Sequence, residues 1–258
     1  MREKRIAIAI IMVFTVLAFT CISGCGKGRT GRASFDELLK NGVIVSGESC
    51  RPGYDSLDGT VNDHLKWNWI ESIASAEVLT VRHYLGWGRP FGIGKPHLYG
   101  YSIGELKINE VSEKINTAGL AEGDTVYLYL EYYPIFCKEG QSDNEKIVDF
   151  FNKKTGNAFT AIEDLQTLDE CVFEFVPRSD EDYVLIVCRN ETLPLKEGED
   201  YAFMLLESAF EGYERIFSPS LVCPLSDGDT LESQVERFGI EFGRDYITVA
   251  NEMAMLFK

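Results

Sequence analysis

Few side chains in this sequence are of the kinds that make and break bonds, and their spacing joins none of them into a catalytic unit. The three histidines are His64, His83 and His97. His83 falls in the strand-like run EVLTVRHYL and His97 in a Gly/Pro-rich loop beside Lys95, without the Cys, Asp or Glu spacing that a zinc site needs. His64 follows Asp63 in NDHLKWNW, a pairing equally suited to the first turn of a helix. The seven cysteines include no C-x-x-C. Five of them, Cys50, Cys137, Cys171, Cys188 and Cys223, lie in the body of the chain, so at least one stays unpaired. Cys171 and Cys188 flank an acidic turn in ECVFEFVPRSDEDYVLIVC and are placed either for a cross-strand bridge or as buried thiols. Carboxylates cluster at Asp143–Glu145, Asp180–Asp182 and Asp227–Asp229, without the spacing of a calcium loop. No catalytic residue, metal ligand or cofactor is assigned.

The N-terminus carries chemistry of another kind. Arg2, Lys4 and Arg5 precede the uncharged run IAIAIIMVFTVLAFTC, residues 6–21. Sixteen residues fall short of the roughly 20 that span a bilayer as a helix but suit the apolar part of a secretory signal. Ile22-Ser23-Gly24-Cys25 then resembles the lipobox of bacterial lipoproteins, Ile22 standing where leucine is commonest. The resemblance implies that the Cys25 thiol takes a diacylglyceryl group and becomes the first residue after cleavage, with fatty acyl chains such as palmitate holding the protein at the extracytoplasmic face of the cell membrane. An uncleaved signal-anchor and conventional cleavage are the other readings, and the anchor too leaves the body outside the cytoplasm. The domain organisation expected is a signal peptide at 1–24, a tether at 25–33 and one β-rich domain at 34–258, with an insert at about 134–182.

Charge bounds the partners. The chain has 25 basic and 41 acidic side chains, net -16. Removing residues 1–24 subtracts Arg2, Lys4, Arg5 and Glu3, leaving 22 basic and 40 acidic groups, net -18. Nucleic acid is excluded as a general partner, because no basic footprint exists to neutralise phosphates. The hydrophobic share of 45% and aromatic share of 12% exclude disorder for the chain as a whole.

The elements that must position any site read as mainly β. Ser34-Phe35-Asp36-Glu37 is a capping box opening a short helix, which Asn41-Gly42 ends. VIVSGESCRPG predicts a brief strand, and WNWIESIASAEV a short helix. Glu77–Leu85 predicts a strand ended by Gly86. Tyr99–Glu113 predicts a long strand with a bulge, because Leu106 and Ile108 share a parity that Val111 breaks. In TVYLYLEYY, Val126, Leu128 and Leu130 form one apolar face, opposite Tyr127, Tyr129 and Tyr133. FFNKKTG reads as a turn and TAIEDLQTL as a short helix. Strands follow at 171–176 and 183–188, joined through PRSDED as a hairpin, then at 201–206 and 213–217. A helix after Thr248 closes the chain. Many antiparallel strands with few helices imply a β-rich α+β fold, a small barrel or sandwich with peripheral helices.

Three segments together resemble a loosely defined group of uncharacterised Gram-positive lipoproteins and secreted β-domains: SIASAEVLTVRHYL, YSIGELKINEVSEKINTAGLAEGDTVYLYL and LPLKEGEDYAFMLL. The resemblance spans roughly residues 70–230 and implies an OB-like, five-stranded, partly open barrel, with Gly123-Asp124 and Gly198 as its structural turns. It implies no activity. The function expected is therefore a lipid-anchored binding or structural module contacting the membrane through its lipid and an envelope protein, glycan or small ligand through exposed aromatics. Trp87 in GWGRPFGIG is the first candidate, with Trp67 and Trp69. The alternatives are a cell-envelope hydrolase using paired carboxylates and an accessory component of an envelope transport or signalling system.

Overall fold

The computed structural model describes residues 31–40, 43–44, 61, 70–89, 94–187, 193–208, 210, 212–226, 230–233 and 244–258. In chain order the elements are α1 (Phe35–Leu38), β1 (Val43–Ile44), β2 (Ser72–Gly88), β3 (His97–Asn116), β4 (Thr125–Leu130), β5 (Tyr132–Lys138), β6 (Gln141–Ser142) and α2 (Asn144–Thr155). A 3-10 helix (Ile162–Thr167), β7 (Cys171–Phe175), β8 (Tyr183–Val187), β9 (Asp200–Ser208), β10 (Ile216–Pro224) and α3 (Arg244–Ala254) follow.

The strands divide into a six-stranded sheet, β3-β4-β10-β9-β2-β7, in which β3 also pairs with β2, and a four-stranded sheet, β1-β8-β5-β6. β4 and β10 run parallel, and the other neighbours in the large sheet are antiparallel. A small OB-like barrel does not account for this architecture. Ten described strands in two sheets, with helices at their margins, make a mixed α+β, sandwich-like fold. The region expected as an insert supplies β5, β6, α2 and β7, and so builds much of the second sheet and its cover.

Strand β2 organises the large sheet. It lies beside β3 over its whole length, while its other edge meets β9 at Ser72–Glu77 and β7 at His83–Trp87. The helix expected from WNWIESIASAEV gives way here, because Ser72–Val78 is strand. Ile73, Ala74 and Ala76 are fully buried between partners on both edges, and tertiary pairing overrides the helix propensity of the alanines. The expected bulge in β3 is present: opposite Ser75 and Ala76 the register runs from Glu110 to Ile108 and leaves Asn109 unpaired.

Two cores result. The larger joins Val78, Leu106, Leu128 and Phe203 of the sheet to Tyr246, Val249, Ala250 and Met253 of α3. That i, i+3, i+4, i+7 spacing turns one helical stripe onto the body. The second lies between Leu85 and Trp87 of β2, Tyr133 and Ile135 of β5, and Ile147 and Phe151 of α2. Helix α2 was legible as a turn only at its end. Asp143 caps it by accepting from the Lys146 N–H at 3.3 Å, and Gly156 ends it at φ 77°. The PRSDED connection is no hairpin, since β7 belongs to the large sheet and β8 to the small one.

Candidate functional site

Between its partners β9 and β7, β2 exposes a stretch of edge whose backbone groups need other acceptors and donors. Glu199 O accepts from Val78 N–H at 3.0 Å, and Val78 O accepts from Gly198 N–H at 2.7 Å. At Val81 the Glu197 carboxylate accepts from the N–H at 2.8 Å and the Arg32 guanidinium donates to the carbonyl. Arg32 and Glu197 also pair with each other at 3.2 Å. The segment before α1 is thereby strapped across the sheet edge. Its backbone is held as well, since Ala33 N–H donates to Pro177 O at 3.0 Å and Ser179 N–H to Gly31 O at 2.8 Å.

Beside the strap lies a cleft of about 250 Å³ bounded by Arg32, Phe35, His83, Tyr132, Leu195 and Glu197. It falls below the roughly 300–1,000 Å³ of small-molecule sites. His83 lies opposite Ser102 of β3 and its Nδ1 is 2.8 Å from the hydroxyl. Ser102 gives its one proton to the Tyr132 carbonyl at 2.5 Å, so Nδ1 is the donor and the hydroxyl its acceptor. A general base would need the reverse direction. With Ser102 fully buried, the pair is a structural tie among β2, β3 and β5 rather than a nucleophile. Burial, with the nearby Arg32 charge second, lowers the His83 pKa to about 3, so the ring is neutral.

The outer face of β2, β3 and β4 has different chemistry. Tyr84 of β2 stands opposite Tyr101 of β3, with rings stacked at 5.0 Å and 16°. Tyr101 continues to Tyr129 of β4 at 5.4 Å and meets the edge of Phe210 at 5.1 Å. Tyr127 meets Tyr213 at 4.9 Å, and the hydroxyls of Tyr84 and Tyr213 are 3.2 Å apart. The alternation of TVYLYL creates this face by sending Val126, Leu128 and Leu130 into the core and Tyr127 and Tyr129 outward. Tyr133 is not part of it: the chain passes into β5, where that ring is buried in the second core. Tyr84, Tyr99, Tyr127, Tyr129, Phe210 and Tyr213 are each half-buried. Desolvation raises the Tyr99, Tyr101 and Tyr213 phenols to about 12, so these hydroxyls keep their protons at neutral pH. The surface is aromatic and rich in hydroxyls, with charge at its border: Glu174 stands opposite Tyr84, Glu105 opposite Tyr127, and the Arg82 and Glu174 charges act on the Tyr213 phenol.

The residues singled out from sequence are scattered. Trp87 is only 6% exposed, inside the second core, and its indole N–H has no hydrogen-bond partner among the described residues. It offers no contact surface. Trp67 and Trp69, His64, and the lipobox Ile22, Ser23, Gly24 and Cys25 lie outside the described residues. Gly123 has φ 84° in the β3–β4 turn, where Asp124 accepts from the Ala121 N–H at 2.9 Å and from Arg215 at 3.1 Å. Gly198, with φ 81°, forms the turn before β9. Cys137, Cys171 and Cys223 are free thiols, and burial pushes the Cys223 thiol up to about 11. Among the described residues no group of His, Cys, Asp and Glu could hold a metal ion. The tyrosine face escaped sequence reasoning because its members come from three strands and a loop; the alternation at Tyr127 and Tyr129 was the one local signal.

Comparison with known proteins places the chain in no group: no protein-family model, no curated protein and no solved structure matches it.

Proposed function

We propose that the chain is a lipid-anchored extracytoplasmic module that binds a neutral, hydroxyl-rich envelope ligand, a glycan, on its tyrosine face. The observation carrying this reading is the array of half-buried Tyr84, Tyr127, Tyr129, Phe210 and Tyr213 around the buried Tyr101 ring, which presents ring surfaces beside phenol hydroxyls. Such groups stack on apolar sugar faces and exchange hydrogen bonds with their hydroxyls. Net charge -16 disfavours polyanionic ligands. The anchor is supported by the sequence pattern of residues 2–25 alone: a basic start, an uncharged run and Ile22-Ser23-Gly24-Cys25.

The test is co-sedimentation of the purified chain with neutral polysaccharide from cell walls, for wild type and the double variant Tyr127→Ser/Tyr129→Ser. At least a tenfold loss of retention is expected, with an unchanged far-UV circular dichroism spectrum. Equal retention by a folded variant overturns the assignment of the face.

A further inference from the structure

The strap on β2 bears on how the whole body is presented, an inference that rests on the N-terminal anchor proposed above. From Cys25 to Gly31 there are 31 − 25 = 6 residue steps. At about 3.5 Å each they reach at most about 20 Å. At Gly31 the chain already belongs to the body: Gly31 O accepts from Ser179, Arg32 is tied to Val81 and Glu197, and Ala33, Leu38 and Leu39 are buried. Residues 31–33, assigned to the tether from sequence, are bonded to the fold.

The charge at this edge is a second, independent observation. The β7–β8 connection carries Asp180, Glu181 and Asp182 in a chain already rich in carboxylates. Each has a cation against it: Arg178 on Asp180 at 3.0 Å, Lys146 on Glu181 at 3.7 Å and Lys40 on Asp182 at 3.9 Å. The edge next to Gly31 is therefore locally balanced, and an anionic headgroup layer repels it less than it repels an unpaired acidic surface.

We propose that the edge formed by Gly31, Ser179 and the β7–β8 connection is the membrane-facing side of the molecule, held within about 20 Å of the lipid headgroups. The occupant of this surface is the lipid bilayer. The strap makes the short distance into an orientation, because a chain entering at a fixed point with its backbone and Arg32 bound cannot swivel freely about Gly31. The far end of β3 lies away from this edge: Asn116 is opposite Ser72 and Thr117 N–H donates to Glu71 O, nine and ten residues before Val81, or roughly 30 Å along β2 at 3.3 Å per residue.

The experiment uses the full lipidated chain in phosphatidylcholine vesicles containing headgroup-nitroxide lipid. A fluorescent amino acid is placed by codon suppression at Ser179 or at the exposed Thr117. Quenching several-fold stronger at Ser179 is expected, and Arg32→Ala/Glu197→Gln should reduce that contrast. A chain that floats with the vesicles but is quenched equally at both positions, or more at Thr117, overturns the orientation and leaves the anchor standing. A chain that does not float overturns the anchor, and the orientation with it.

Discussion

At neutral pH the imidazole of His83 is an uncharged donor to Ser102, and acid works against it. The unfolded chain binds this proton as the pH falls through about 6.5, whereas the folded chain resists until about 3. Between those values the unfolded state holds more protons, so stability falls with pH by up to about 1.4 kcal/mol per unit. Carboxylates with lowered pKa, such as Asp124 and Asp180, add losses of the same sign, but starting from their ordinary value of 3.8 they act at lower pH. The interval from pH 6.5 to 5 therefore isolates the histidine. Urea unfolding should show a loss of roughly 2 kcal/mol across that interval in wild type and a flatter profile in His83→Gln. An equally steep profile in the variant would contradict the burial of an unpaired charge as its cause. This site was half legible. His83 in EVLTVRHYL marks itself as a buried strand residue, but its partner comes from the next strand, and only register brings Ser102 opposite.

Elements are fitted to one another through two glycines on opposite faces of the sheet. A Cβ at Gly100 would lie 2.4 Å from the root of the Tyr133 ring, which is buried in β5. One at Gly86 would lie 2.5 Å from the far end of the Tyr99 ring, which is half-buried and can swing outward. Gly100→Ala should therefore cost about 1–3 kcal/mol by forcing β3 and β5 apart. Gly86→Ala should cost less than about 1 kcal/mol, and chemical denaturation of the two variants measures the difference. A reversed order would show that the contact with Tyr133 is the softer one. Local patterns announced several elements correctly: the capping box at Ser34, the TVYLYL alternation, and the parity slip that became the bulge at Asn109. They misassigned others for a physical reason. SIASAEV has helix-compatible composition and becomes strand only because β3 and β9 pair with both its edges. Similarly, the acidic turn between β7 and β8 looks like a hairpin loop while linking two different sheets. Helix α2 had readable signals in Asp143, the Ile147, Val148 and Phe151 stripe, and Gly156, which were obscured by the polar FFNKKTG ending.

For the whole molecule, sequence composition reached the β-rich class, and pairing decided the rest. Two sheets, two cores and a strapped edge depend on contacts between residues far apart in the chain, which no local window reports. The arrangement around β2 bears on how such a molecule comes into being. Synthesis delivers β2 and β3 together, but Ser72–Glu77 must wait for β9, whose Leu205 finally sits opposite Ser72. Until then Ile73, Ala74 and Ala76 lie along an unpaired border, the kind of strand that recruits other chains. A fragment ending at Glu199 should accordingly aggregate under conditions where the full chain stays monomeric, as light scattering would report; a monodisperse, folded fragment would count against this dependence. The vulnerable period of the protein's life is thus its birth, when a half-made chain carries an adhesive margin that only its last third can seal.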